Sequence, residues 1–226
     1  MIAIASRLDR IFIGEIALLE PEGHRTGIFK RPVACGRVTA TGIEGDHQAD
    51  LRNHGGPEKA LQHYAAENYA RLAEEFPALT PALIPGSLGE NLSTVGWNEG
   101  NVHIGDMFRI GGTIVQVSQP RSPCWKINHK FGVEGISKHI ADACITGWYY
   151  RVLEPGTICV GDRFERIGEE RNPVSILRFW EIALDHRPRL EDLDRLAAIP
   201  ALTEGWKKKL GERRAWLTKP GAALSK

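Results

Sequence analysis

Runs and alternations of apolar residues divide the chain into a strand-rich stretch and a helical one. Residues 11–19 are largely apolar and are broken at Pro21 and Gly23, and residues 33–41 carry β-branched side chains up to Gly42, so both read as strands. Residues 104–111 and 160–168 resemble each other: each has a Gly-Asp turn (Gly105-Asp106, Gly161-Asp162), a strand of alternating character and a further glycine. Between them, Ile114, Val115, Val117 and Ser118 predict a strand that Pro120 and Pro123 prevent from continuing. Leu61, Ala65, Tyr69, Leu72 and Phe76 recur every three or four residues, which predicts an amphipathic helix over about 57–76, opened by Pro57 and stopped by Pro77 and Pro81. Residues 83–94 hold too many turn formers for a long regular element. Residues 132–150 are mixed, and their aromatic cluster of Trp148, Tyr149 and Tyr150 is expected in the core.

Beyond about residue 170 the pattern becomes helical. Ile176, Phe179, Trp180 and Ala183 follow Pro173 at helical spacing, residues 190–198 form a second short helix before Pro200, and Leu202, Trp206, Leu210, Arg213 and Leu217 line a third. The expected architecture is mainly β, of the α+β class. A sheet closes into a barrel with inserted helices over residues 1–170, and a small three-helix segment follows over 171–226.

Composition changes this picture little. A chain of 226 residues with 42% hydrophobic and 25% charged positions can bury a full core. The formal net charge of +1 argues against a general nucleic-acid or membrane-surface binder. Residues 200–226 carry seven Lys/Arg against two Asp/Glu, which reads as a solvated outer face. No apolar run has the form of a signal peptide or the length of a membrane span, so the cytoplasm is the expected compartment. Cys35, Cys124, Cys144 and Cys159 include no Cys-x-x-Cys pair, and in that compartment they are expected as free thiols, each acting singly if it acts at all.

Four segments carry candidate chemistry. Cys124 follows a strand on a proline-flanked loop, with Arg121 and Lys126 as cationic neighbours that would favour the thiolate; the segment alone allows either this or a small apolar filler. Lys30 and Arg31 are adjacent in an extended stretch, so one of them is expected to look inward. His54, Gly55, Gly56 and Lys59 lie at the start of the predicted helix, where free N–H groups and a positive dipole end suit a phosphate or carboxylate, or where the two glycines simply make a turn. Glu90 and Asn91 offer hydrogen bonds from the glycine-rich loop.

Taken together and in order, Gly45-Asp46, then Asn53-His54-Gly55-Gly56-Pro57-Glu58-Lys59-Ala60-Leu61, then Gly89-Glu90-Asn91-Leu92, then Val117-Ser118-Gln119-Pro120-Arg121-Ser122-Pro123-Cys124 resemble the blocks of a MOSC domain. Over nearly the whole chain the resemblance is to the YiiM type, a MOSC barrel with a three-helix tail. It implies a barrel that binds molybdenum cofactor, with Cys124 as the protein thiolate on the metal, a ligation that suits a soft sulfur donor. It places Lys30, His54, Gly55, Gly56, Lys59, Asn91 and Arg121 at the cofactor, with Lys59 standing where close relatives often have Arg, so that the charge is kept and the bidentate fork is lost. Cys35, Cys144 and Cys159 match no ligand position and are expected to pack.

The implied activity is reduction of N-hydroxylated compounds, including N-hydroxylated purine base analogues, to amines, with His54 or Glu90 assisting proton delivery. The chain has no Gly-x-Gly-x-x-Gly fingerprint and no cysteine set for an iron–sulfur cluster, so electrons are expected from a separate flavin-containing reductase. The alternative is a cofactor carrier or sulfur-delivery module, a role MOSC domains have beside pyridoxal phosphate-dependent sulfurases; no such sulfurase domain is expected within these residues. A third possibility, hydrolysis with Cys124 as nucleophile and His129 as base, needs no metal. A monomer and a homodimer fit the sequence equally.

Overall fold

The computed structural model describes residues 6–219, so the end of the tail from Pro220 to Lys226 lies outside the described residues. Along the chain, β1 (Ser6–Arg7) and β2 (Arg10–Ile13) precede a hairpin of β3 (Ala17–Leu19) and β4 (His24–Thr26), and then come β5 (Arg31–Val33), β6 (Cys35–Thr39) and β7 (Gly42–Ile43). A single helical turn, α1 (Leu51–His54), and a 3-10 turn at Pro57–Lys59 lead into β8 (Leu61–Ala65), α2 (Asn68–Glu75) and β9 (Leu92–Thr94). The twin Gly-Asp segments become β10 (Met107–Ile110) and the later β14, with β11 (Thr113–Pro120), α3 (Lys126–Phe131), α4 (Ile136–Asp142), β12 (Trp148–Glu154) and β13 (Gly156–Cys159) between them. β14 (Arg163–Gly168) closes this part, and α5 (Ile176–Leu184), α6 (Leu190–Ala197) and α7 (Glu204–Leu217) form the tail.

Nine strands form one curled half-barrel sheet in the order β1-β14-β10-β11-β12-β8-β9-β2-β5, and β13-β6-β7 forms a second sheet. The two Gly-Asp strands pair antiparallel, with Ile110 opposite Phe164. β11 and β12 pair with register shifts at Ile114/Val115 and Val117/Gln119. Such irregularities bend a strand and re-aim its side chains, here just ahead of the loop that bears Cys124.

The helix expected over 57–76 exists only in its second half, as α2; residues 61–65 are a strand. All five residues of β8 are buried, because the strand lies inside the sheet between β12 and β9 with both faces covered. Leu61 and Ala65 share a face in either conformation, so their spacing did not separate the two. The expectation of four free thiols is also corrected. Cys35 and Cys159 stand opposite each other on β6 and β13 and form a disulfide with Cα atoms 4.0 Å apart. A pairing across 124 residues depends on strand register, which spacing along the chain does not reveal.

One hydrophobic cluster joins the sheet interior (Leu61, Phe108, Val117, Trp148, Tyr150, Phe164) to the inner faces of the tail helices (Ile176, Phe179, Leu193, Leu210). Polar bonds fix the same junction. Trp180 Nε1 donates to Thr146 Oγ1 at 2.8 Å, Thr203 Oγ1 to Gln119 Oε1 at 3.0 Å, and Arg151 Nη2 to the carbonyl of Ala201 at 2.8 Å. The start of α7 is thereby held against the end of β11. A second cluster, with Tyr64, Tyr69, Leu72, Leu88, Ile127 and Ile140, packs α2, α3 and α4 together. No described helix is long and apolar enough to cross a membrane.

Candidate functional site

β11 ends at Pro120, and the loop that follows carries Arg121 inward and leaves Cys124 half-buried at the start of α3. A small inner chamber, with about 80 Å³ of free space, opens beside this loop, walled by residues from five separate parts of the chain, among them Lys30, Asp46, His54, Gln62, Arg121 and Cys124. Its floor is organised by Asp46, whose side chain is fully buried. This carboxylate pairs with Lys30 and accepts from the Gly14 amide at 2.8 Å, Gln48 Nε2 at 3.0 Å and Asn91 Nδ2 at 2.8 Å. Of the adjacent cations, Lys30 is the one that looks inward, with its side chain 4% exposed, while Arg31 is exposed.

Asn91 also receives the Gln62 amide at 3.0 Å and donates to the Phe12 carbonyl at 3.2 Å, so its side chain holds the chamber's frame. Arg121 is 4% exposed. Its Nη2 donates to the Leu88 carbonyl at 3.0 Å, while its Nε and Nη1, like Gln62 Nε2, are buried without a hydrogen-bond partner. Buried donors are ordinarily satisfied, and these three belong to side chains that line the chamber. Their N–H groups could each donate to an acceptor placed in the chamber.

The electrostatics agree with an anionic occupant. Burial, then the charges of Arg121, Lys59 and Lys126, lower the His54 pKa to about 4, so its ring is neutral at pH 7. Burial and then Lys209 lower the Lys59 ammonium. Tyr149, also on the wall, has its phenol raised by burial, with Arg121 pulling the other way.

The chamber gathers Lys30, His54, Lys59, Asn91, Arg121 and Cys124. It does not gather four others. Gly55 and Gly56 line a separate shallow hollow between the 3-10 turn and the tail. Gly56 adopts φ +84, which a side chain rarely tolerates, so the glycine pair serves a turn. The α-helix expected to begin there is a three-residue 3-10 turn, so the dipole argument for an anion at that point does not hold. Glu90 is fully buried away from the chamber, where it accepts from Tyr69 Oη at 2.6 Å and from the Gly86 amide at 2.5 Å, and burial raises its pKa. His129 is bonded to the Glu20 carbonyl at 2.7 Å and lies 2.9 Å from a Glu22 carboxylate oxygen, an arrangement that turns it to residues outside the chamber.

Sequence reasoning missed Gln62, hidden in the misassigned helix, and Tyr149, read as core. It also missed the contribution of the tail. Thr203, Trp206 and Lys209 line an outer cleft that meets the chamber at Cys124, His54, Lys59 and Tyr149. A lone glutamine within an apolar strand was the one local signal for Gln62.

A curled half-barrel sheet with a half-buried free cysteine on the wall of a chamber, followed by a three-helix segment packed against the sheet, defines an α+β protein of the half-barrel kind. Residues 50–165 match the MOSC domain and residues 174–215 the YiiM-like 3-alpha helix domain. The Escherichia coli (strain K12) protein YiiM is 37% identical over 206 residues, covering 90% of this chain and 91% of that one. The crystal structure of YiiM from Escherichia coli superposes with a TM-score of 0.78 at 30% identity, covering 94% and 93% of the two chains. A Gibberella moniliformis protein named a reductase is 38% identical over 170 residues, 75% of this chain but 30% of that protein. The chain belongs to the MOSC family, and within it to the YiiM type.

Proposed function

We propose that the inner chamber binds molybdenum cofactor, with Cys124 as the protein thiolate on the metal, and that the protein reduces N-hydroxylated compounds to amines. The observation that carries this reading is the pairing, on one wall, of a half-buried free cysteine with a buried guanidinium holding two unpartnered donors. Membership of the MOSC family, whose domains are generally associated with this cofactor, and the reductase name of the fungal relative support it.

The donor set fits the group. A soft thiolate suits the metal, and unpartnered N–H groups suit the oxygens of a phosphate or a pterin ring. Arg121 would hold the anionic part, with Lys59 adding charge, and Gln62 Nε2 would donate to a ring acceptor. Lys30 is fixed by Asp46, and the ion pair holds the chamber floor without moving.

When bound, the cofactor supplies oxygen abstraction and a two-electron store. The overall change is R–NHOH + 2 e⁻ + 2 H⁺ → R–NH₂ + H₂O, with the electrons from a separate flavin-containing reductase. His54 is the titratable group on the chamber wall suited to proton traffic. With a pKa near 4 its neutral ring relays a proton from one nitrogen to the other instead of storing one. Glu90, sealed behind Tyr69, sets the loop's shape.

The test is amine formation from an N-hydroxylated adenine by molybdenum-loaded protein with a reduced viologen as donor. Turnover that disappears in Cys124→Ser supports the reading. Loaded protein that does not turn over would instead support the carrier role.

A further inference from the structure

Cys124 stands where two spaces meet. Behind it is the inner chamber, and in front of it lies an outer cleft of about 430 Å³. One wall of this cleft is the barrel, with Lys59, Trp125 and Cys124; the other is the start of the tail's last helix, with Thr203, Trp206 and Lys209.

Three consecutive lysines on α7 behave differently. Lys207 pairs with Glu204 at 2.8 Å and Lys208 with Glu212 at 3.9 Å, whereas Lys209 has no carboxylate partner among the described residues. Its ammonium lies 4.9 Å from the centre of the Trp206 ring and borders the cleft. The Trp206 ring is set by edge contacts to Phe179, at 4.9 Å, and Trp180, at 5.5 Å. A braced indole capped by an ammonium that has no carboxylate partner among the described residues, with a second cation on the barrel wall, matches a flat ring that carries a negative group, the ammonium leaving the indole for that group as the ring takes its place. The space available, about 430 Å³, lies within the ~300–1,000 Å³ typical of small-molecule sites and has room for a nucleotide as well as for a bare base.

We infer that the outer cleft is the substrate's own binding site and that it takes aromatic phosphate monoesters, the ring against Trp206 and the phosphate between Lys209 of the tail and Lys59 of the barrel. In naming this as the substrate's compartment the inference rests on the reductase reading. It gives the three-helix tail a role in specificity, since Lys209 and Trp206 face the outer cleft and are absent from the inner chamber's wall.

The experiment uses full-length metal-free protein, titrated with adenosine 5′-monophosphate, adenosine and inorganic phosphate by calorimetry and tryptophan fluorescence. The nucleotide is expected to bind about tenfold more tightly than adenosine, the scale of one charge-assisted contact. Lys209→Ala should erase that difference, Lys208→Ala should keep it, and Trp206→Ala should weaken both ligands, with circular dichroism showing that each variant is folded. Equal binding of nucleotide and nucleoside, phosphate binding as tightly as the nucleotide, an unaffected Lys209→Ala, or no binding at all would each overturn the inference. So would loss of nucleotide binding in Arg121→Ala but not in Lys209→Ala, which would put the ligand in the inner chamber. No molybdenum enters this titration, so its outcome stands apart from that of the reductase assay.

Discussion

Replacing Arg121 by Met should make the ligand-free protein more stable while removing its capacity to hold the cofactor. The guanidinium is 4% exposed, with one hydrogen bond at 3.0 Å and two donors that have no partner. Each unpartnered buried donor costs about 1–3 kcal/mol, and the single charge-assisted bond returns about 1.5–3 kcal/mol. Met fills the space of the aliphatic stem with an unbranched apolar chain. The surplus cost of the orphaned donors leaves a net gain of about 1–3 kcal/mol, which at about 2–4 °C per kcal/mol for a chain of this size raises the midpoint by several degrees. Paired thermal and urea unfolding of metal-free wild type and Arg121→Met measures it, alongside molybdenum content after expression with a working cofactor pathway. A variant less stable than wild type by more than about 1 kcal/mol would refute the reasoning, because the guanidinium would then be satisfied without a ligand. A variant that keeps its molybdenum would refute the assignment of Arg121.

The Asp46 hub and the buried histidine give two more expectations. Asp46→Asn leaves the Lys30 ammonium, 4% exposed, without its counter-charge and should cost about 3–5 kcal/mol, seen as a lower urea midpoint at unchanged slope; a loss below about 1 kcal/mol would show that the ion pair does not hold the chamber floor. His63, between Tyr150 Oη and Thr94 Oγ1, has its pKa lowered by burial to about 3. From pH 6.5 down to about 3 the unfolded chain takes up a proton that the folded one refuses, so stability should fall by up to about 1.4 kcal/mol per pH unit in that window. It should be flat in this respect above pH 7, and His63→Phe should reduce the slope; an unchanged slope would contradict the assignment to His63.

The parts of the fold legible in the sequence were those with local causes. The two Gly-Asp segments announced their strands, and these pair with each other. The spacing of Ile176, Phe179 and Leu210 announced tail helices whose apolar stripe faces the barrel core. What escaped was set by distant chain. β8 is buried on both faces and so lost the alternation that marks a strand, and the Cys35–Cys159 pairing depends on register between β6 and β13. At the site, charge and block order brought Lys30, His54, Lys59, Arg121 and Cys124 to notice, and the fold gathers them. Tyr149 reaches the same chamber, and Trp206 and Lys209 the cleft beside it, only through tertiary packing; the only local mark of Gln62 is a glutamine within an otherwise apolar strand.

The central claim is that Cys124 ligates a molybdenum centre held in the inner chamber. The most direct measurement is the molybdenum content, by mass spectrometry, of wild type and Cys124→Ser purified from a host with a working cofactor pathway. The account predicts near-stoichiometric metal in the wild type and its loss in the variant. Equal metal in both would contradict the assignment of Cys124, and metal in neither would contradict the cofactor reading itself.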